Sequence, residues 1–282
     1  MTRRSFLTTA IKLTAGAGIA ISGGTGYAYG LEPSWVDVNR ETLTLARLQS
    51  AFHNYRIAQI SDLHTGGWLK RDHLQDVVSI VNSQSPNLIV ITGDFVGGDP
   101  YDVAADLVNA VSQLSAPDGV LYVLGNHDHW AGATKVREIL APLPFTEVAN
   151  SARTIERNGA LLTIAGVDDV WEHQNRLDTA LGKVPSEGAA ILLAHEPDFA
   201  DEAATTGRFD LQLSGHSHGG QVVIPFMDPP RLPYLGTKYH TGLYKVEDML
   251  QYTNRGIGMI RPYVRFNCRP EITVFELLSP GA

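Results

Sequence analysis

Six short runs along the chain are dense in Ile, Val and Leu: "YRIAQI" (55–60), "NLIVITG" (87–93), "GVLYVLG" (119–125), "LLTIAGV" (161–167), "AAILLA" (189–194) and "FDLQLSG" (209–215). Runs of this length and composition predict strands buried on both faces. Between the first three the period changes. Leu74, Val77, Val78 and Val81 fall at i, i+3, i+4 and i+7, and Val103, Leu107, Ala110, Val111 and Leu114 follow the same rhythm, so each segment predicts a helix with one apolar face. Strand, helix, strand, helix, strand is the order of βα units. It predicts an α/β fold with a largely parallel sheet, whose ligands gather beyond the carboxyl ends of the strands.

Five of the predicted strands run straight into polar clusters. Ser61-Asp62-Leu63-His64 follows the first, Gly93-Asp94 the second and Gly125-Asn126-His127-Asp128 the third; His195 follows "AAILLA", and Gly215-His216-Ser217-His218 follows "FDLQLS". Each alone has an ordinary explanation: Asp94 as a helix cap or turn residue, His195 as a hydrogen-bonded histidine in the core. His216 and His218, two apart, would share one face of a regular strand. Together the clusters offer carboxylate oxygens, imidazole nitrogens and an amide oxygen, with no thiol. That mixture suits Mn, Zn or Fe better than copper or calcium. Asp62, His64, Asp94, Asn126, His195, His216 and His218 are too many ligands for one ion, but two ions sharing one carboxylate would employ them all.

Charge and composition narrow the partners. The 282-residue chain is 44% hydrophobic with a formal net charge of -8. Residues 1–30 contribute Arg3, Arg4 and Lys12 and no acid, so the remainder carries -11. Such a balance argues against nucleic acid as the main partner. Cys268 is the only cysteine, which excludes an intramolecular disulfide and a thiolate metal cluster, and it reads as a small apolar residue. No linker-like tract or repeat divides the chain after residue 30, so residues 31–282 are expected to form a single domain.

The first thirty residues read as an address. Thr2-Arg3-Arg4-Ser5-Phe6-Leu7 resembles the twin-arginine export signal, ahead of an apolar stretch broken by Lys12 and ending in small residues. A plain membrane anchor or a chance basic start is the alternative. The stretch, about 15 residues, is shorter than the ~20 that span a bilayer. Ala28-Tyr29-Gly30 is a weak cleavage site, leaving removal and retention on the membrane both open. The resemblance implies the twin-arginine translocation machinery as a partner. It also implies export to the periplasm, the cell wall or the outer face of the membrane.

The ordered set "DLH", "GD", "GNHD", "H", "GHSH", spanning about residues 55–220, resembles the calcineurin-like metallophosphoesterases. The resemblance implies a four-layer αββα sandwich in which Asp62, His64 and His218 hold one divalent ion, Asn126, His195 and His216 hold the other, and Asp94 bridges them. His127 then resembles the family histidine that gives a proton to the leaving oxygen, with Asp128 orienting it. The implied reaction is hydrolysis of a phosphodiester or pyrophosphate. "SDLH", "GHSHGGQ" and the closing "RPEITVFEL" look most like the exported or membrane-associated phosphodiesterase branch, which extends the expected substrates from small molecules to lipid-linked phosphates. A phosphomonoesterase is the nearest rival, and an exported metal- or envelope-binding module without turnover is the alternative from another class. His129 is expected to be a solvated turn residue, Asp168, Asp169, Trp171 and His173 a plain acidic loop or, since they follow a strand, a lining of the cleft, and the apolar segment 225–235 either a sheet-edge cover or a surface for a greasy substrate or bilayer.

Overall fold

The computed structural model describes residues 23–281. The twin-arginine-like stretch therefore lies outside the described residues. Among those described, no helix is long and apolar enough to cross a membrane.

The predicted strands form with their ends trimmed: β2 (Tyr55–Ile60), β3 (Leu88–Thr92), β4 (Val120–Val123), β7 (Ala160–Gly166), β8 (Ala189–Leu193) and β9 (Leu211–Ser214). The two predicted helices form as α1 (Arg71–Ser83) and α2 (Pro100–Val111). Asp99 caps α2, its carboxylate accepting from Tyr101 N at 3.0 Å, and Pro100 fills the first turn. Alternation within the apolar runs sorts the side chains into layers. Ile57, Leu88 and Val90 point into a core shared with the second sheet, while Ala58, Ile89 and Ile91 point into a core shared with α1 and α2. That is why these strands carry no polar face. At roughly 1.5–3 kcal/mol per fully buried large aliphatic side chain, the two cores provide the main drive to fold.

Two six-stranded mixed sheets face one another. The first runs β1 (Asp37–Thr44), β12 (Glu271–Leu278), β2, β3, β4, β5 (Phe145–Glu147); the second runs β10 (Gly242–Val246), β11 (Met249–Thr253), β9, β8, β7, β6 (Ser151–Arg157). β2 to β5 are mutually parallel, as are β7, β8, β9 and β11. α1, α2 and α3 (Asn126–Leu140) cover the first sheet. The short helices α4 (Leu177–Leu181) and α5 (Ala200–Thr205) cover the second. The architecture is the expected αββα sandwich.

Packing runs across the expected boundary at residue 30. Ala28 is buried, its carbonyl accepting from Arg265 N at 3.1 Å, and the Tyr27 ring meets Phe266 edge-on at 6.4 Å. Glu32 is fully buried: its Oε2 accepts from Asn267 N at 2.9 Å and its Oε1 from Cys268 N at 2.5 Å.

Candidate metal centre

Each sequence-predicted ligand sits on a turn leaving a strand. Asp62 and His64 follow β2, Asp94 follows β3, and Asn126 opens α3 just after β4; His195 follows β8, and His216 and His218 follow β9. The turns are sharp. Asp62, His64, Asp94, His216 and His218 have φ of 52°, 43°, 57°, 72° and 52°, in the left-handed region that non-glycine residues seldom occupy. Five such residues in one place mark a backbone held in strain by its surroundings. They also correct one expectation. β9 ends at Ser214, so His216 and His218 share no strand face, and the turn itself aims the two rings.

The side chains converge. His64 Nε2 and His218 Nε2 face each other at 3.0 Å, with Asp62 Oδ1 3.3 Å from His218 Nε2 and 3.9 Å from His64 Nε2. Asp94 Oδ2 lies 3.4 Å from His64 Nε2 and 3.3 Å from His195 Nε2. His216 Nδ1 is 3.0 Å from Asn126 Oδ1. Asp62, His64 and His218 form one cluster able to hold an ion, and Asp62, Asp94 and His195 another. Outer contacts fix two of the rings. His195 Nδ1 donates to Thr92 O at 2.6 Å and His216 Nε2 to Tyr234 O at 2.7 Å, which turns the opposite nitrogens inward. His195 Nε2 is buried and has no hydrogen-bond partner. A buried imidazole nitrogen 3.3 Å from Asp94 Oδ2, with no hydrogen-bond partner of its own, fits a divalent cation.

Burial sets the protonation states. It drives His64 and His216 down to about 3 and His218 well below the ordinary histidine range, so all three rings are neutral at pH 7 and can act as ligands without first losing a proton. Burial also pushes the Asp62 carboxyl up to about 6. At Asp94 burial works in the same direction, but His195, His64 and His127 override it and hold the carboxyl well below the ordinary range. His195 is the counterpart: burial would lower it, and the Asp94 charge raises it. Asp94 is thus the strongest anion in the cluster.

His127 is half-buried, its ring 4.6 Å from the His64 ring and its backbone N donating to Asp94 Oδ1 at 2.9 Å. The expectation that Asp128 orients His127 is not met. Asp128 Oδ2 accepts from Gly125 N and Oδ1 from Val96 N, both at 3.1 Å, so the carboxylate ties the start of α3 to the loop after β3. It is the third residue of a helix, placed where a carboxylate reaches back to the capping backbone. His129 departs from expectation too: its Nε2 lies 2.8 Å from Asp168 Oδ1, and Arg137 grips the same aspartate. The acidic loop is accordingly pinned, and its Trp171 stands in the cleft beside Trp130 (5.3 Å), His216 (5.7 Å) and Tyr234 (5.6 Å).

The cleft over the cluster encloses about 760 Å³, within the range of small-molecule sites. Its walls include Arg231, Leu232 and Tyr234 of the apolar segment 225–235, together with Trp130 and Arg261, to which the sequence alone assigned no duty in the site. The glycines carried a further signal. A Cβ on Gly125 would lie 2.7 Å from two ring atoms of His195, so only a glycine lets the turn after β4 pass that close to the ligands.

The fold, the strand-end turns and the Asp/His cluster define a metal-dependent phosphoesterase scaffold. The family model for calcineurin-like phosphoesterases matches residues 55–220, and the chain belongs to that family. A Bacillus subtilis (strain 168) protein, the uncharacterized metallophosphoesterase YkuE, is 35% identical over 282 residues, covering 99% of this chain and 98% of its own. The phosphodiesterase YaeI of Escherichia coli (strain K12) is 31% identical, covering 99% of this chain and all of its own. A Danio rerio transmembrane protein with a metallophosphoesterase domain is 30% identical, covering 95% of this chain and 62% of its own.

Proposed function

We propose that the protein is a dinuclear metal-dependent phosphodiesterase. The observation that carries this reading is the position of Asp94, whose Oδ2 faces His64 at 3.4 Å and His195 at 3.3 Å, between the two sets of ligands. Asp62, His64 and His218 would hold one ion, Asn126, His195 and His216 the other, and Asp94 would bridge. When bound, two divalent ions there supply the positive charge that makes water a nucleophile near neutral pH and that steadies the phosphoryl oxygens. The protein's own groups do the rest. His127, at the edge of the cleft, donates a proton to the leaving oxygen. Trp130, Trp171 and Tyr234 wall one side, orienting the ester and limiting water. Preference for a diester is supported by the 31% identity to a protein named a phosphodiesterase.

Residence outside the cytoplasmic membrane is part of the proposal. It is supported by the twin-arginine-like start and by exposed apolar side chains at Ile224, Phe226 and Met227, close in sequence to cleft residues Val222 and Arg231. A binding module without turnover is disfavoured because no ligand position is missing. The test compares hydrolysis of bis-p-nitrophenyl phosphate and p-nitrophenyl phosphate by the Mn²⁺-loaded protein, with Asp94→Asn as control. Faster diester cleavage that Asp94→Asn abolishes is expected. Faster monoester cleavage overturns the substrate class, and unchanged turnover in Asp94→Asn overturns the bridging role.

A further inference from the structure

His127 and Trp130 stand three residues apart in the first turns of α3, so their side chains share one face of the helix. Gly132, at φ 109°, breaks the helical path directly after them and sets this short piece apart from the rest of α3. The His127 ring, the proton donor to the leaving oxygen, is 4.7 Å from the ring of Trp130. Whatever group that oxygen carries therefore departs alongside Trp130. Trp171 meets Trp130 at 5.3 Å with the ring planes at 82°, and it stands 5.7 Å from the ring of His216, a ligand. All four rings line the cleft.

Perpendicular rings do not stack on one another. One can rest its edge on a face of the other, so the pair covers at most one of its own four faces and forms a right-angled corner. Trp130 remains 53% exposed. Among the described residues, neither tryptophan packs into any of the hydrophobic cores. The corner is nevertheless braced from several sides. Trp130 Nε1 donates to Glu172 Oε1 at 2.8 Å, and His129 Nε2 lies 2.8 Å from Asp168 Oδ1, so α3 and the acidic loop are joined beside both indoles. Buried Glu196, next in sequence to the ligand His195, accepts from Val170 N at 3.2 Å and Trp171 N at 3.3 Å. Asp169 Oδ1 accepts from Glu172 N at 2.7 Å. Holding two large rings at a fixed angle outside the cores costs conformational entropy, and a bound guest offsets it.

We propose that Trp130 and Trp171 form a platform for a planar aromatic ring carried by the leaving alcohol, so that the site selects diesters with an aromatic leaving arm; this rests on the phosphodiesterase reading. A flat ring in the corner stacks on one indole and meets the other edge-on, both favoured arrangements, whereas a saturated ring of like size gains burial alone. In the reaction the oxygen of water bonds to phosphorus and the P–O bond to the aromatic alcohol breaks. The departing oxygen takes the proton of His127, and a proton of the water replaces it on that histidine, leaving a phosphate monoester and a free alcohol. Glu172, which holds the indole of Trp130, is a positioning residue.

The test uses the full chain loaded with Mn²⁺, together with Trp130→Ala, Trp130→Phe, the double variant Trp130→Ala with Trp171→Ala, Glu172→Ala and Glu172→Gln. Calorimetry compares benzyl methylphosphonate with cyclohexylmethyl methylphosphonate, single anions of similar size that differ in the flatness of the ring. Kinetics follow benzyl cyclohexylmethyl phosphate, one diester that offers two alcohols of similar acidity, with the released alcohols counted by chromatography. The wild type should bind the benzyl probe about tenfold more tightly and release benzyl alcohol about tenfold faster than cyclohexylmethanol. Trp130→Ala and the double variant should bring both ratios close to one, while Trp130→Phe keeps most of the preference. Glu172→Ala should lower the ratios, and Glu172→Gln, whose amide oxygen still accepts from the indole N–H, should restore them. Adenosine 5′-methylphosphonate binding more tightly than the benzyl probe would identify the ring as a nucleobase, and weaker binding would identify a smaller arene. Ratios near one in the wild type overturn the platform, as do wild-type ratios in the double variant. Tryptophan-dependent preference for the benzyl probe without hydrolysis of any diester would keep the platform and refute the phosphodiesterase reading. Hydrolysis of bis-p-nitrophenyl phosphate with equal binding of the two probes would do the reverse.

Discussion

Gly125→Ala isolates the geometry of the metal centre from the backbone. The residue has φ -119° and ψ 179°, an extended conformation open to any amino acid, so an added methyl acts through space alone. That methyl would stand 2.7 Å from Cε1 and Nε2 of His195 and also against Asp94 Oδ1. Since non-bonded heavy atoms prefer about 3.5–4 Å, the imidazole and the carboxylate must retreat by roughly 1 Å. Overpacking of this kind destabilises by about 1–3 kcal/mol, offset by about 0.4–1 kcal/mol from the stiffer unfolded chain. The net loss corresponds to a fall in Tm of a few degrees for a domain of this size. Function should suffer far more, by about 10²-fold in turnover, because ligand geometry tolerates little displacement. Elemental analysis after dialysis, turnover of bis-p-nitrophenyl phosphate and thermal melting would be measured side by side with Gly98→Ala, where a Cβ meets nothing within 4 Å. Metal content and turnover within twofold of wild type in Gly125→Ala would refute the reasoning.

Further expectations follow from other contacts. Glu32→Ala strands the buried Cys268 N–H and should cost about 1–3 kcal/mol, read as a lower midpoint in urea; an unchanged midpoint would mean that the segment before β1 contributes nothing to the fold. His127→Gln should retain bound metal and lower kcat, by about 10²–10⁴-fold for esters with alkoxide leaving groups and much less for p-nitrophenolate, which needs no proton; equal losses across leaving groups would remove His127 from the role of acid. Phe226→Ser with Met227→Ser should weaken co-sedimentation with phospholipid vesicles while leaving turnover of soluble esters unchanged, and undiminished sedimentation would rule this loop out as a membrane contact.

Strands buried on both faces were legible because their side chains have no choice: Ile89 and Val90 point to opposite cores, and both need to be apolar. β1, by contrast, is an exposed edge strand written "DVNRETLT", and its polarity, natural at a sheet edge, hides it from a hydrophobic pattern. The ligand positions were readable for the same reason as the strands, since each cluster directly follows an apolar run. What Asp128 does was not readable. An aspartate beside a histidine in sequence looks like its partner, but at the start of α3 the backbone turns that carboxylate toward Gly125 and Val96. Arg261 reaches the cleft through loop packing set by a distant residue, Gln221, whose spacing in the chain carries no local signal.

The ligands are divided between the two sheets: Asp62, His64, Asp94 and Asn126 leave β2, β3 and β4, and His195, His216 and His218 leave β8 and β9. Any ion held by Asp62 with His218, or by Asp94 with His195, is a rivet through the seam of the sandwich. Loading is then thermodynamically linked to folding, worth about 2.7 kcal/mol for a site at a hundred times its Kd. Scarcity of metal would accordingly be felt first as a loosening between the halves of the molecule.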